Sequence, residues 1–166
     1  MSKSKRSRSD PAATPATLAL AKAGIAFTLH PYEHRDDSTG YGEEAAEQLA
    51  VDPRQIFKTL VAEAGETLTV AVVPVANQLD LKALARACGA KRAELADPKA
   101  ATRSSGYVLG GISPIGQRTS LPTVIDSSSA DFATIFVSAG RRGLQVELAP
   151  TDLAKITGAI SAPIAG

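Results

Sequence analysis

The sequence predicts a single α+β domain rich in antiparallel strands, and three observations carry that prediction. The chain has 166 residues, 44% of them apolar, a length and composition that suit one domain with a core of its own. Apolar positions recur at helical spacing in several short stretches and alternate with period two in others. Neighbouring strands are joined by short turns such as Gly65-Glu66, and neither an internal repeat nor a linker divides the chain. Ordinary apolar content with a net charge of +1 excludes a disordered chain. No apolar run approaches the roughly 20 residues that a bilayer requires.

Thr14-Pro15 opens the first helix, a hydroxyl N-cap followed by proline at the first helical position. Leu18, Leu20, Ala21 and Ile25 give it an apolar stripe, and Gly24 stops it. Alternation from Ala26 to Glu33 predicts a strand, and the polar stretch His34 to Gly40 a loop. Glu43 to Ala50 reads as a second helix, with acids in the first turn where the macrodipole favours them. Asp52-Pro53 breaks it. Ile56 to Ala62 and Leu68 to Val75 then form a hairpin about Gly65-Glu66. Leu79 to Cys88 is helical and closed by Gly89, and Pro98 to Ser105 is a short helix before the glycine-rich segment Gly106 to Gly116. Strands follow at Leu121 to Asp126, Ala133 to Ser138 and Gly143 to Leu148, the last two separated by the basic turn Ala139-Gly140-Arg141-Arg142. Thr151 and Asp152 open a final helix, and residues 161–166 are expected to fray.

Charge is unevenly spread. Lys3, Lys5, Arg6 and Arg8 against Asp10 put the first ten residues at +3, so the remainder sums to −2. Residues 1–13 are expected to form a flexible basic tail. A body so nearly neutral argues against a DNA-binding protein, or any protein gripping nucleic acid through its own surface alone. No secretory apolar stretch follows the basic start, which favours a soluble, cytoplasmic setting.

Standard catalytic groups come up short. Cys88 is expected to be a packed, inert thiol, because it ends a helix where the dipole disfavours a thiolate. His30 and His34 stand four apart but in a strand and a loop, and no Cys cluster joins them, so no metal site is expected. Neither a GxSxG elbow nor the Gly-Lys-Ser/Thr ending of a phosphate loop is present. Two features remain. Lys58 lies within the apolar strand Ile-Phe-Lys-Thr-Leu-Val, where alternation alone would turn it to solvent, although a lysine there could also enter a pocket. Gly110-Gly111-Ile112-Ser113-Pro114-Ile115-Gly116 is either an ordinary turn or a loop whose backbone approaches a ligand closely.

Together these stretches resemble the YbaK/EbsC family of Cys-tRNA(Pro) deacylases, free-standing relatives of the editing domain of bacterial prolyl-tRNA synthetases. The resemblance runs from about Thr14 to Ile160. It is carried by His30-Pro31-Tyr32-Glu33-His34, Tyr41-Gly42-Glu43-Glu44-Ala45, Phe57-Lys58-Thr59-Leu60, Gln78-Leu79-Asp80-Leu81-Lys82, the segment Gly106 to Gly116, Leu121 to Asp126, and Ser138 to Leu144. It implies a domain over residues 14–160 with a curved, mostly antiparallel, barrel-like sheet and flanking helices. It also implies that Lys58 enters the substrate pocket as the catalytic residue, against the expectation from alternation. Gly110 and Pro114 match the family's GxxxP loop, so Gly110, Gly111, Ile112, Ser113 and Pro114 would meet the aminoacyl-adenosine end. Tyr32, Tyr41, Thr59 and Ser138 match pocket positions. Gln145 departs from relatives that carry an aspartate there, so no electrostatic role is carried over to it.

The implied activity is trans-editing: removal of cysteine from mischarged Cys-tRNA(Pro), and from Cys-tRNA(Cys), by attack of the substrate's own thiol to give a thiolactone. No metal or cofactor is implied. The implied partners are the aminoacyl-tRNA and prolyl-tRNA synthetase, with no membrane. Two alternatives stay open on the sequence: deacylation of another mischarged tRNA such as Ala-tRNA(Pro), and a non-catalytic module that binds tRNA or synthetase.

Overall fold

The structure is a computed structural model that describes residues 13–34 and 40–166. Apart from Ala13, the expected basic tail lies outside the described residues. Thr14 caps helix α1 (Pro15–Lys22) as expected: its hydroxyl accepts from the Thr17 N–H at 3.1 Å, and the Thr17 hydroxyl accepts from the Thr14 N–H at 2.8 Å. Strand β1 (Thr28–Pro31), helix α2 (Tyr41–Leu49) and the hairpin of β2 (Phe57–Ala64) and β3 (Thr67–Pro74) follow. Helix α3 (Leu81–Ala87) begins at Asp80, whose carboxylate accepts from the Ala83 N–H at 3.0 Å. Strand β4 (Ala93–Leu95) and helix α4 (Pro98–Ser105) come before the glycine-rich loop. Strands β5 (Thr123–Asp126), β6 (Ile135–Arg141) and β7 (Leu144–Leu148), helix α5 (Pro150–Thr157) and strand β8 (Ile160–Ala162) complete the order.

The strands form two sheets, one of five in the order β4-β2-β3-β5-β8 and one of three in the order β1-β7-β6. Pairing is antiparallel except at β3–β5 and β5–β8. The α+β class and the mostly antiparallel pairing thus agree with expectation. The described strands do not close into a barrel; the sheets meet where Ile56 bridges to Phe136. Between them lies the main core, in which Phe57, Val70 and Val72 face Val137, Leu144, Val146 and Leu20 of α1. The other face of the five-stranded sheet is also covered, with Ala71 and Val73 packed against Leu84 of α3, Val124 and Ile164. Burial on both faces explains the unbroken apolar run of β3. Among the described residues, no helix is long and apolar enough to cross a membrane.

Three expectations are corrected. Residues 161–166 do not fray. Strand β8 pairs with β5, Ile164 is fully buried, and the Asp126 carboxylate accepts from the Ile164 and Ala165 N–H groups at 2.9 Å each. The Gly166 N–H also donates to the Gln78 carbonyl at 2.8 Å, so the segment is tied down by residues distant in sequence. Cys88 is exposed at the end of α3, outside the core, because the buried side of that helix is Ala83, Leu84 and Ala85. Strand β6 runs past Ser138 through a register shift to Arg141, which confines the basic turn to Arg142 and Gly143. One strand, β4, had no sequence signal: its three residues are half-buried or exposed.

Candidate active site

Strand β4 covers the outer edge of β2 only at Ala62, Glu63 and Ala64. Ahead of that point, Phe57 to Val61 have β3 on one side and no described strand on the other. The Val61 carbonyl accepts from the Ala96 N–H at 3.0 Å across this edge. Main-chain groups alternate in direction along a strand, so the N–H and carbonyl of Thr59 face the same uncovered edge. A cavity of about 400 Å³ opens along it. Its walls come from Ile56 to Val61, from Leu95 and Ala96 at the end of β4, from α4 at Pro98 and Ala101, from Tyr41 to Glu43 in α2, from the glycine-rich loop, and from Ser138 and Gln145 of the smaller sheet.

Lys58 is half-buried and lines this cavity. It stands opposite Val73 in the register of the hairpin, on the same face as Leu60 and Ala62. Strict alternation would turn it to solvent only if that face were open, and it is covered. Among the described residues, Lys58 is the one lysine or arginine in the cavity wall, and no carboxylate pairs with it. Thr59 and Gln145 each bring an oxygen that is buried without a hydrogen-bond partner, Oγ1 and Oε1 respectively. Such atoms are costly unless something satisfies them. The Gln145 side chain also lies near the Tyr32 hydroxyl. Burial pushes that hydroxyl above its usual pKa, in part offset by the nearby Gly143 backbone and Gln145 side chain. Ser138, the cross-strand neighbour of Gln145, is buried, and its Oγ accepts from the Gly140 N–H at 3.1 Å.

The glycine-rich loop approaches closely where glycine permits it. Gly110 has φ +82°, and a Cβ there would lie 2.7 Å from the Tyr41 ring; one on Gly111 would lie 2.8 Å from the Arg141 Cα. The expected site residues therefore divide. Lys58, Tyr32, Tyr41, Thr59, Gly110, Ile112 and Ser138 line the cavity, whereas Gly111, Ser113 and Pro114 do not. Those three are buried behind it and shape the loop, with the Ser113 Oγ accepting from the Ile115 N–H at 3.2 Å. Sequence reasoning missed Leu95, the last residue of the unforeseen β4, and Ala96 just after it. Gln145 had a signal, a polar residue between the apolar Leu144 and Val146 of β7. The two histidines go to separate carboxylates, His30 to Glu147 and His34 to Glu44, each at 2.8 Å. A hydrogen bond from Thr134, then desolvation opposing it, then His30 together leave Glu147 below the usual carboxylate range. Among the described residues, no group of three or more His, Cys, Asp or Glu could hold a metal ion.

The family model for the aminoacyl-tRNA editing domain matches residues 38–156. The chain belongs to that family. Among the described residues, every part of the cavity wall except Tyr32 falls inside the matched span of this editing domain. The chain is 42% identical over 116 residues, 69% of its own length and 71% of the other's, to the Enterococcus faecalis protein EbsC, which is named as a Cys-tRNA(Pro)/Cys-tRNA(Cys) deacylase. A solved structure described as a trans-editing enzyme for prolyl tRNA synthetase matches with a TM-score of 0.82 at 25% identity, covering 94% of this chain and 98% of that one. The hypothetical protein APE2540 shares the fold at a TM-score of 0.80 and 23% identity, over 92% of this chain and all of its own, 100%.

Proposed function

We propose that this editing-family protein is an aminoacyl-tRNA deacylase that acts in trans and removes cysteine from mischarged Cys-tRNA(Pro) and from Cys-tRNA(Cys). The observation that carries the reading is a cavity with a lysine but no cysteine or histidine in its wall. The protein side therefore lacks the Cys–His or Ser–His pair that acyl transfer ordinarily uses. Cysteine supplies the missing group itself. Its sulfur attacks its own ester carbonyl, a C–S bond forms, the C–O bond to the ribose breaks, and the thiol proton ends on the ribose oxygen. The product is a cyclic thiolactone. Because the reacting groups are in one molecule, orientation alone can contribute about 7–11 kcal/mol. A thiol with a pKa of about 8.5 is already a few per cent thiolate near neutrality.

Lys58 supplies the positive charge that favours thiolate over thiol and steadies the developing oxyanion. The unpartnered oxygens of Thr59 and Gln145 suit the α-ammonium of the aminoacyl group, a donor with three N–H bonds. Glutamine serves this purpose as a neutral acceptor. The largely apolar remainder of the wall, including Phe57, Leu60 and Ile112, keeps competing water out. A body at −2 has little general attraction for RNA, so prolyl-tRNA synthetase, in the cytoplasm, is the partner that brings the substrate.

The test is deacylation of Cys-, Ser- and Ala-charged proline tRNA, with mass spectrometry of the released product. Cysteine thiolactone should appear from the Cys form, and the Ser and Ala forms should be poor substrates. Rapid release of alanine would sink thiol self-cleavage as the sole route. Full activity in Lys58→Ala would remove the lysine from the mechanism.

A further inference from the structure

The basic turn singled out in the sequence has no part in the chemistry above, yet it stands at the mouth of the cavity. The Arg142 guanidinium carbon lies 5.0 Å from the centroid of the Tyr41 ring, a cation–π arrangement. Arg142 Nε donates to the Leu109 carbonyl at 2.7 Å. Its two terminal nitrogens meet no carboxylate among the described residues. The turn is also locked in place, since Gly111 packs so closely that a Cβ there would lie 3.0 Å from the Arg142 nitrogen. Tyr41 itself is 37% exposed, and the apolar side chains Leu109 and Val108 beside it are 41% and 59% exposed. An aromatic ring, an arginine with no carboxylate partner among the described residues, and apolar surface thus converge at the edge of a cavity in a body whose net charge is negative.

We propose that Tyr41 and Arg142 form the platform on which the terminal adenine of the RNA 3′ end stacks, with the free guanidinium nitrogens meeting the adjacent phosphate. This rests on the deacylase reading, because an aminoacyl group held beside Lys58 leaves its ribose and base at the cavity mouth. Bases stack on aromatic and guanidinium planes with little regard to sequence. A site built this way accepts the CCA end common to all tRNAs. Choice of substrate is then left to the cavity and to a partner protein.

The test uses a probe that needs no aminoacyl group: an acceptor-stem RNA hairpin whose terminal adenosine is replaced by the fluorescent analogue 2-aminopurine. Stacking quenches that fluorophore. The full chain should quench it on titration, and Tyr41→Phe, which keeps the ring, should still do so. Tyr41→Leu and Arg142→Gln should lose the quenching and bind about tenfold more weakly. Arg142→Gln should also flatten the log–log salt dependence by about 0.7. Thermal melting checks that each variant is folded; should either fail, Arg142→Lys, which keeps charge without the plane, should show partial loss. Wild-type quenching in the folded Tyr41→Leu and Arg142→Gln variants would overturn the proposal, as would tight hairpin binding by the unmodified chain with no quenching. Quenching that persists in a chain unable to deacylate Cys-tRNA would instead count against the deacylase reading and leave the platform standing.

Discussion

The first five residues of β2 and its last three share β3 as a neighbour but differ on the other edge. Ala62, Glu63 and Ala64 are capped there by β4, whereas Phe57 to Val61 are not, and the cavity begins where the cap ends. Side-chain chemistry follows the same division. The capped end holds the small, buried Ala62 and Ala64, and the open end holds Lys58 and Thr59. Phe57, Val61, Ala62 and Ala64 are buried along the whole strand, and the polar Lys58 and Thr59 meet the cavity only ahead of the cap. The candidate site is an interrupted sheet edge, and the cavity opens where the interruption begins.

If that division is real, variants at the open end should alter activity with little effect on stability, and variants in the closed core the reverse. Lys58→Ala should show the largest effect, a fall of about 10²–10³-fold in kcat/KM for Cys-tRNA. Urea unfolding should show a midpoint close to wild type. Leu84→Ala, in the core behind the closed end, should cost about 3 kcal/mol of stability while the folded fraction keeps its activity. Lost turnover per folded molecule would break the comparison.

Asp126 sharpens it further. Burial raises this carboxyl's pKa, but hydrogen bonds from Ser128, Ile164 and Ala165 outweigh that and leave it below the ordinary carboxylate range. With the folded value depressed, its contribution is fully present above the unfolded pKa of about 4 and is lost as pH falls through the lower folded value. Asp126→Asn should reduce stability by about 1–3 kcal/mol at neutral pH and flatten the acid limb of the stability profile. The smallest expected change is at Thr59. Its hydroxyl oxygen is buried without a partner, so Thr59→Val should stabilise the free protein by about 1 kcal/mol and yet raise KM. A destabilised Thr59→Val protein would mean that the hydroxyl already has a structural task.

Much of the fold was legible because its signals are local. The Thr14 cap, the Gly65-Glu66 turn, the acids of α2 and the alternating run of β1 each announce themselves within a few residues. What escaped depends on distant partners. Nothing near residues 161–166 hints that Asp126 will hold their backbone, and Ala93–Leu95 is too short and too exposed to show a period. The candidate site divided in a similar way. Alternation misjudged Lys58 because it assumes one dry and one wet face, whereas this sheet is covered on both; family resemblance put the residue in the cavity. Resemblance in turn included Gly111, Ser113 and Pro114, which support the loop from behind. Arg142 was visible only as part of a basic turn, since its place over Tyr41 needs two loops to meet.

The exposed cysteine has a practical use. Cys88 is the only cysteine in the chain, lies on the surface just after α3, and is absent from the cavity wall. A maleimide fluorophore would therefore attach at one defined place without any engineered substitution. Anisotropy of that label would report any association with tRNA, a synthetase or both in a single titration, with the cavity chemically untouched.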